Sequence, residues 1–370
     1  MHDTPSSDDR PPRIGSLFSG YGGLDLAVEH ATGGQTIWFS EVDTPVARVF
    51  THHWPEAPNL GDIAAVDWTA VPAVDVLIGG FPCQDVSTVG KGAGLAPGIR
   101  SGLWSYMVSA IELLQPRLVV IENVRGLLSA TATRPQRQGA TRARNHDDAT
   151  SAHATPRDVE PRPRVLGDEP ARPLRALGAV LGDLADLRYD AQWTGLPASL
   201  AGAPNHRFRV FITAHPQNLV SHSAGFGLLP RRGNAGSSTS PAGNDRPVSP
   251  GHRLRPARTE CLTDQQERLG DTVQPDRDRV RRWGRYAEAI ARWEHITGHA
   301  APAPAVLNED RGPRPSPKFV EWLMGLPAGW ITDPMGELTA NQQKTALGNG
   351  VLPLQALVAL RSLALRMQSR

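Results

Sequence analysis

The sequence predicts an α/β chain built on a doubly wound, mostly parallel sheet, with a smaller, loop-rich domain beside it. Between Arg13 and about Leu128, short apolar runs alternate with stretches of helical period, the mark of a parallel sheet with crossover helices. After His215 the composition shifts to Gly, Ser, Pro and Arg, which sets off a second domain. At 370 residues the chain can bury a full core and still hold both parts.

Taken in order, "RIGSLF" from Arg13 reads as the first strand, and "GGLDLAVEHA" after it as a helix. "TIWFSEV" is the second strand and "VDVLIGG" a later one. "GLWSYMVSAIELL" puts Leu103, Met107, Ile111 and Leu114 on one helical face, and "RLVVIENV" follows as a buried strand. Residues 131–173 hold no Phe, Trp or Tyr and few aliphatics, so they cannot offset their ordering entropy; a disordered surface insertion is expected there. Order resumes with a Leu174, Leu177, Leu181, Leu184 stripe and with "RVFITA" at 209–214 as a strand. In the loop-rich region one helix stands out, with Val280, Trp283, Ala287 and Ile290 on a shared face among Arg277, Arg279, Arg281, Arg282 and Arg285. A solvated charged helix and a DNA-facing one are equally compatible with that pattern. The C-terminal "LPLQALVALRSLALRM" is helical.

Bulk composition excludes several classes. Two cysteines cannot make a disulfide framework. The polar N-terminus "MHDTPSSDDRPPR" has no apolar core of a signal peptide, and no apolar run approaches a membrane span; a cytoplasmic chain is expected. Net charge is only +2, so total charge does not announce a polyanion partner. Lys91, Lys318 and Lys344 are the only lysines among 39 basic residues. Arginine suits phosphate forks and guanine edges, but a GC-rich coding bias gives the same composition.

Cys83 is placed unusually, a few residues past a buried strand on the turn "GGFPCQDVS". Buried structural cysteine is the commonest fate of the residue. The C-terminal ends of parallel strands, however, deliver side chains to the binding crevice of an open sheet. Val86 stands where a CxxC partner would be, which argues against redox chemistry, zinc and a zinc-dependent deaminase. A nucleophilic thiolate is the live functional reading. Glu122 ends the next strand on the same sheet edge. "LFSGYGGLDL" makes a strand, a glycine turn and a helix, suited to a nucleotide-like ligand, though it is not GxGxxG. Glu41 ends the second strand, where an acid takes ribose hydroxyls.

With these residues in place the chain resembles the cytosine-C5 DNA methyltransferases. "FSGYGG" (18–23), "GDI" (61–63), "GGFPCQDVS" (79–87), "RSGLW" (100–104), "ENV" (122–124), "NHRFRVF" (205–211) and "LGNGV" (347–351) occur in that family's order. Asn205 departs from the family, which has Gln there. The resemblance implies the S-adenosyl-L-methionine-dependent methyltransferase fold and methyl transfer to C5 of a cytosine in double-stranded DNA. It implies Cys83 as the nucleophile at C6, Glu122 as the acid at N3 and the exocyclic amine, and Arg209 at O2 with Arg207 supporting. It further implies a flipped target base. Phe18, Gly20, Gly22, Glu41, Asp62, Ile63, Pro82, Asn349 and Val351 would line the cofactor pocket, with Phe18 on the adenine and no metal.

The domains expected are a catalytic domain over 13–215, a target-recognition domain over 216–325, and a segment 326–370 returning to the catalytic domain. "SPKFVEWLMGLPAGW" (316–330) resembles the family's segment supporting the recognition domain, with Trp322 and Leu323 expected in the core. A monomer is expected, with a cognate restriction endonuclease as a separately acting partner. A tRNA-directed relative and a non-catalytic DNA-binding module are the rival readings. Assay on both nucleic acids separates the first, and cofactor binding without methyl transfer would mark the second.

Overall fold

The computed structural model describes residues 10–82, 102–132, 174–218, 277–308, 312–333 and 337–368. The first half runs β1 (Arg13–Leu17), α1 (Gly23–Thr32), β2 (Gln35–Ser40), α2 (Thr44–His53), β3 (Val76–Gly79), α3 (Leu103–Leu114) and β4 (Leu118–Val124). Two short strands follow, β5 (Thr131–Ala132) and β6 (Leu174–Arg175), then α4 (Ala176–Asp186), β7 (Tyr189–Pro197) and β8 (Phe208–Pro216). The remainder is α5 (Arg277–Trp283), α6 (Ala287–Thr297), β9 (Ala305–Asn308), β10 (Gly312–Pro315), α7 (Pro317–Leu323), α8 (Ala340–Asn349) and α9 (Pro353–Gln368).

Six strands form one sheet in the order β2-β1-β3-β4-β8-β7. The pairs among β1 to β4 are parallel, while β8 runs antiparallel to both β4 and β7. The mostly parallel, doubly wound sheet expected from the sequence is therefore present. After β1 the chain builds outward to β2, then returns to place β3 on the other side of β1. That reversal opens a crevice at the C-terminal ends of β1 and β3, where open sheets of this kind take their ligands.

The strands are buried on both faces, so they read as continuous apolar runs. Ile14, Val76, Ile78, Leu118, Val120 and Phe211 pack with Leu24, Val28, Leu360 and Leu363 of α1 and α9. The alternate residues Leu17, Leu77, Val119, Ile121, Val210 and Ile212 pack with Met107, Ile111, Leu177 and Val180 of α3 and α4. A third cluster joins Phe50 and Trp54 of α2 and its C-cap to Ile290, Trp293, Trp322, Met324 and Trp330. Trp322 is buried and Leu323 packs against the same cluster, as the sequence suggested.

Several local expectations need correction. Leu174 lies in β6 rather than on the following helix, whose buried face is Ala176, Leu177, Val180 and Leu184. The single helix read through 280–290 is broken by Gly284, which takes a left-handed φ of 54°, and Val280 is exposed. Strand β7, which the sequence reading passed over, alternates Tyr189, Ala191 and Trp193 with Asp190, Gln192 and Thr194, a period-2 signal. Residues 340–366 are together long and apolar enough to cross a membrane, contrary to the expectation from the sequence. They form two helices, however, and α9 spends Leu357, Leu360 and Leu363 in the core. The proposed insertion at 131–173 falls outside the described residues from 133 onward.

Candidate active site

The glycine turn after β1 is the most constrained backbone in the crevice. Phe18 sits at a left-handed φ of 53°, costly for a residue with a Cβ, and Gly20 and Gly22 follow at 55° and 84°. Gly22 is the N-cap of α1, so the turn feeds directly into a helix N-terminus. Glu41, just past β2, fixes the turn from the side: one carboxylate oxygen accepts the Gly20 N–H at 3.0 Å and the other the Asp43 N–H at 2.9 Å. Asn59 bridges Glu41 and Gly61, and Ser40 donates to the Gly61 carbonyl at 2.7 Å. Asp62 caps the short turn carrying Ile63 by accepting the Ala64 N–H at 2.9 Å. Phe18, Gly20, Gly22, Glu41, Asp62 and Ile63 thus gather at the ends of β1 and β2.

The residues present fit a nucleoside-like ligand. A side chain added at Gly20 would meet open space, so that backbone lines a cleft rather than packed protein. The Ser19 hydroxyl is buried in the same turn without a hydrogen-bond partner. Val351 closes the far side of the turn, its carbonyl accepting the Tyr21 hydroxyl at 2.7 Å. A Cβ on Gly23 would collide with that Val351 carbonyl, and one on Gly350 with the Tyr21 ring. Asn349 ends α8 beside them and is exposed.

The second group of residues lies along β3, β4 and β8. Glu122 is buried two residues before the end of β4, and its Oε1 lies 2.8 Å from Arg209 Nε. The two side chains are both buried and form an ion pair across β4 and β8. Burial raises the Glu122 carboxyl to about 7, and Arg209 and then Arg207 restrain the rise. The Gly79-Gly80 break has a steric cause, because a Cβ at Gly80 would stand 3.2 Å from Glu122 Oε2. Asn123, buried beside Glu122, donates to the Phe81 carbonyl at 2.9 Å. It thereby tethers the loop that leads through Pro82 to Cys83. Pro82 is exposed at the end of this loop, and Cys83 itself lies outside the described residues.

Arg207 points elsewhere than its neighbour. Its guanidinium donates to the Gly348 carbonyl at 2.9 Å and to the Gly350 carbonyl, tying β8 to the turn after α8. Gln355 of α9, fully buried, donates to the carbonyls of Leu196 and Arg207, both at 2.8 Å. Asn205 makes only a 3.5 Å approach to the Leu323 carbonyl. Among these residues, Asn59, Asn123 and Gln355 were not singled out from sequence. Asn123 alone carried a signal, as the middle of "ENV"; the others act on carbonyls whose partners no local pattern reveals.

Residues 13–138 match the family model described as C-5 cytosine-specific DNA methylase. The Type II methyltransferase M.HgiBI of Herpetosiphon aurantiacus is 38% identical over 210 residues, 56% of this chain and 38% of that protein. M.MspI of Moraxella sp, also a Type II methyltransferase, is 28% identical over 198 residues, 54% of this chain and 37% of that protein. The chain therefore spans little more than a third of the length of these relatives. A crystal structure of a Spodoptera frugiperda DNMT2 mutant superposes with a TM-score of 0.50 at 16% identity, covering 97% of this chain and 100% of that one. That likeness supports the methyltransferase fold. Over its matched segment, the chain is similar to the C-5 cytosine-specific DNA methylases.

Proposed function

We propose that this chain transfers a methyl group from S-adenosyl-L-methionine to C5 of a cytosine flipped out of double-stranded DNA. The observation that carries the reading is the buried Glu122 carboxyl, raised to about 7, ion-paired to Arg209, and packed under the glycines that lead to Cys83. Cytosine C5 is a poor nucleophile, and C6 is hidden in a stacked duplex, so the base must leave the stack. The Cys83 thiolate adds to C6, and the electron pair of the broken C5–C6 double bond becomes available at C5. Protonated Glu122 donates at N3 as that charge develops. Arg209 holds Glu122 in place and offers its remaining donors toward O2. The sulfonium of the cofactor supplies the methyl group. Loss of the C5 proton to water, return of the N3 proton to Glu122 and expulsion of the thiolate from C6 then restore the aromatic ring and the enzyme.

Phe18, Gly20, Gly22, Glu41, Asp62, Ile63, Pro82, Asn349 and Val351 form the cofactor pocket in this reading, with Glu41 on the ribose and Asp62 at the adenine amine. Residues 13–215 act as the catalytic domain, 216–325 as the target-recognition domain and 326–370 as the returning segment. The protein works in the cytoplasm as a monomer. Its partner is a separate restriction endonuclease cutting the same DNA word.

The test is covalent trapping on target DNA carrying 5-fluorocytosine, since fluorine cannot leave as a cation. The protein should form an adduct that survives denaturing electrophoresis, only with S-adenosyl-L-methionine present and Cys83 intact. Cys83→Ser should lose turnover by orders of magnitude, because a hydroxyl is not ionised near neutrality. Normal methylation of the plain target without any adduct from the fluorinated one would overturn the mechanism.

A further inference from the structure

Tyr21, in the middle of the glycine turn, is held from both sides by residues some three hundred positions away. Its hydroxyl reaches Val351, and its carbonyl accepts the indole N–H of Trp330 at 2.9 Å. Trp330 is buried, stacked on His53 with 3.5 Å between ring centroids and 5° between planes, and set edge-on to Trp54. Trp54 in turn donates its indole N–H to Glu29 of α1 at 2.9 Å and lies against Gly22. The turn bearing Trp330 is itself fixed by one carboxylate. Glu321 of α7, 2% exposed, accepts the N–H groups of Gly329, Ile331 and Thr332 and the Thr332 hydroxyl, at 2.6 to 2.9 Å.

Four donors on a buried carboxylate make a rigid turn, because losing any one would leave a charged oxygen undersatisfied. From this turn the Trp330 N–H reaches toward the cofactor side, and it lands on the carbonyl of the strained turn. We propose that Trp330 is a positioning residue for the cofactor: through Tyr21 it holds the Phe18–Gly22 backbone in its left-handed course, and Glu321 sets Trp330 for that task. The segment 316–332 and the cofactor turn thereby move as one unit. This rests on the methyltransferase reading above and deepens it.

Trp330→Phe keeps a ring on His53 but removes the N–H, leaving the Tyr21 carbonyl without that donor. Binding of S-adenosylhomocysteine, measured by calorimetry, should weaken about three- to ten-fold, the range expected for one lost hydrogen bond. The KM for S-adenosyl-L-methionine should rise in step, with kcat at saturation changed less. Trp322→Phe is the control. It loses a comparable indole bond in the same cluster, to the His299 carbonyl at 3.1 Å, and should lower the melting temperature without moving the Kd. Thr332→Val, which removes one bond to Glu321, should shift the Kd in the same direction by less, and it serves if Trp330→Phe does not fold. An unchanged Kd in the Trp330 and Thr332 variants, or an equal loss in the Trp322 control, would overturn the proposal. Wild-type protein that binds no S-adenosylhomocysteine at all would instead overturn the methyltransferase reading.

Discussion

Glu122 sits where desolvation and two arginines compete. Burial alone would keep the carboxyl protonated well above neutrality, and Arg209 and Arg207 bring it back to about 7. Acting as a proton donor, the group is competent below that pH and loses activity as pH rises through it. The descending limb of kcat/KM should therefore lie near pH 7 in the free enzyme. Arg209→Met removes the larger restraint, so this limb should move to higher pH, and in the slow Glu122→Gln variant it should vanish. Profiles over about pH 5.5 to 9 decide the matter; a limb unmoved by Arg209→Met would assign it to another group. The candidate site residues could be named from the sequence because their identities and order are distinctive. The groups that hold them were not. Asn123 acts on a carbonyl 42 positions away and Gln355 on ones 148 and 159 away, and such bonds leave no local periodicity.

The start of α1 shows two element-scale effects in opposition. Replacing a helical glycine by alanine ordinarily gains up to about 1 kcal/mol through propensity. At Gly23 the added methyl would strike the Val351 carbonyl oxygen, a backbone atom that cannot swing aside. Overpacking of this kind costs roughly 1–3 kcal/mol, so Gly23→Ala should destabilise on balance. Urea denaturation would show a lower midpoint, and cofactor binding should weaken with it, because helix and turn are forced apart. A rise in the midpoint would mean that the 347–351 turn yields easily. Helices with a clean stripe, such as α3, were readable end to end, with Met107 and Ile111 buried as their spacing requires. The helix pair α5 and α6 was not, since Gly284 breaks it while the composition continues unchanged.

At the scale of the molecule, the mostly parallel sheet followed from the alternation of apolar runs and helices, whereas the packing of Trp293, Trp322 and Trp330 onto α2 did not. That contact is carried by Trp293, Trp322 and Trp330, whose positions in sequence give no hint of what they meet. The antiparallel pairing of Thr131 with Arg175 and Ala132 with Leu174 brings the two flanks of residues 133–173 into hairpin register. A tight turn can therefore replace the whole intervening stretch with little strain. A variant with a four-residue Gly/Asn turn in place of 133–173 should keep its melting temperature within about 2 °C, a shift worth roughly 1 to 1.5 kcal/mol in a chain of this size. Its affinity for S-adenosylhomocysteine should also be unchanged. A large drop in melting temperature would show that the stretch packs on the body.

The last helix has a consequence for biogenesis. During synthesis the strands β1, β3 and β4 and helix α1 emerge before α9, whose Leu357, Leu360 and Leu363 share with α1 the covering of one apolar face of the sheet. Until the ribosome releases that helix, Ile78, Val120 and Phe211 are covered only in part. Nascent chains are exposed to misassociation over that interval, and chaperone capture would be favoured throughout it. A chain truncated before Pro353 would keep the strands of the sheet and leave this face incompletely covered. Such a product should partition to the insoluble fraction rather than accumulate as a weak enzyme.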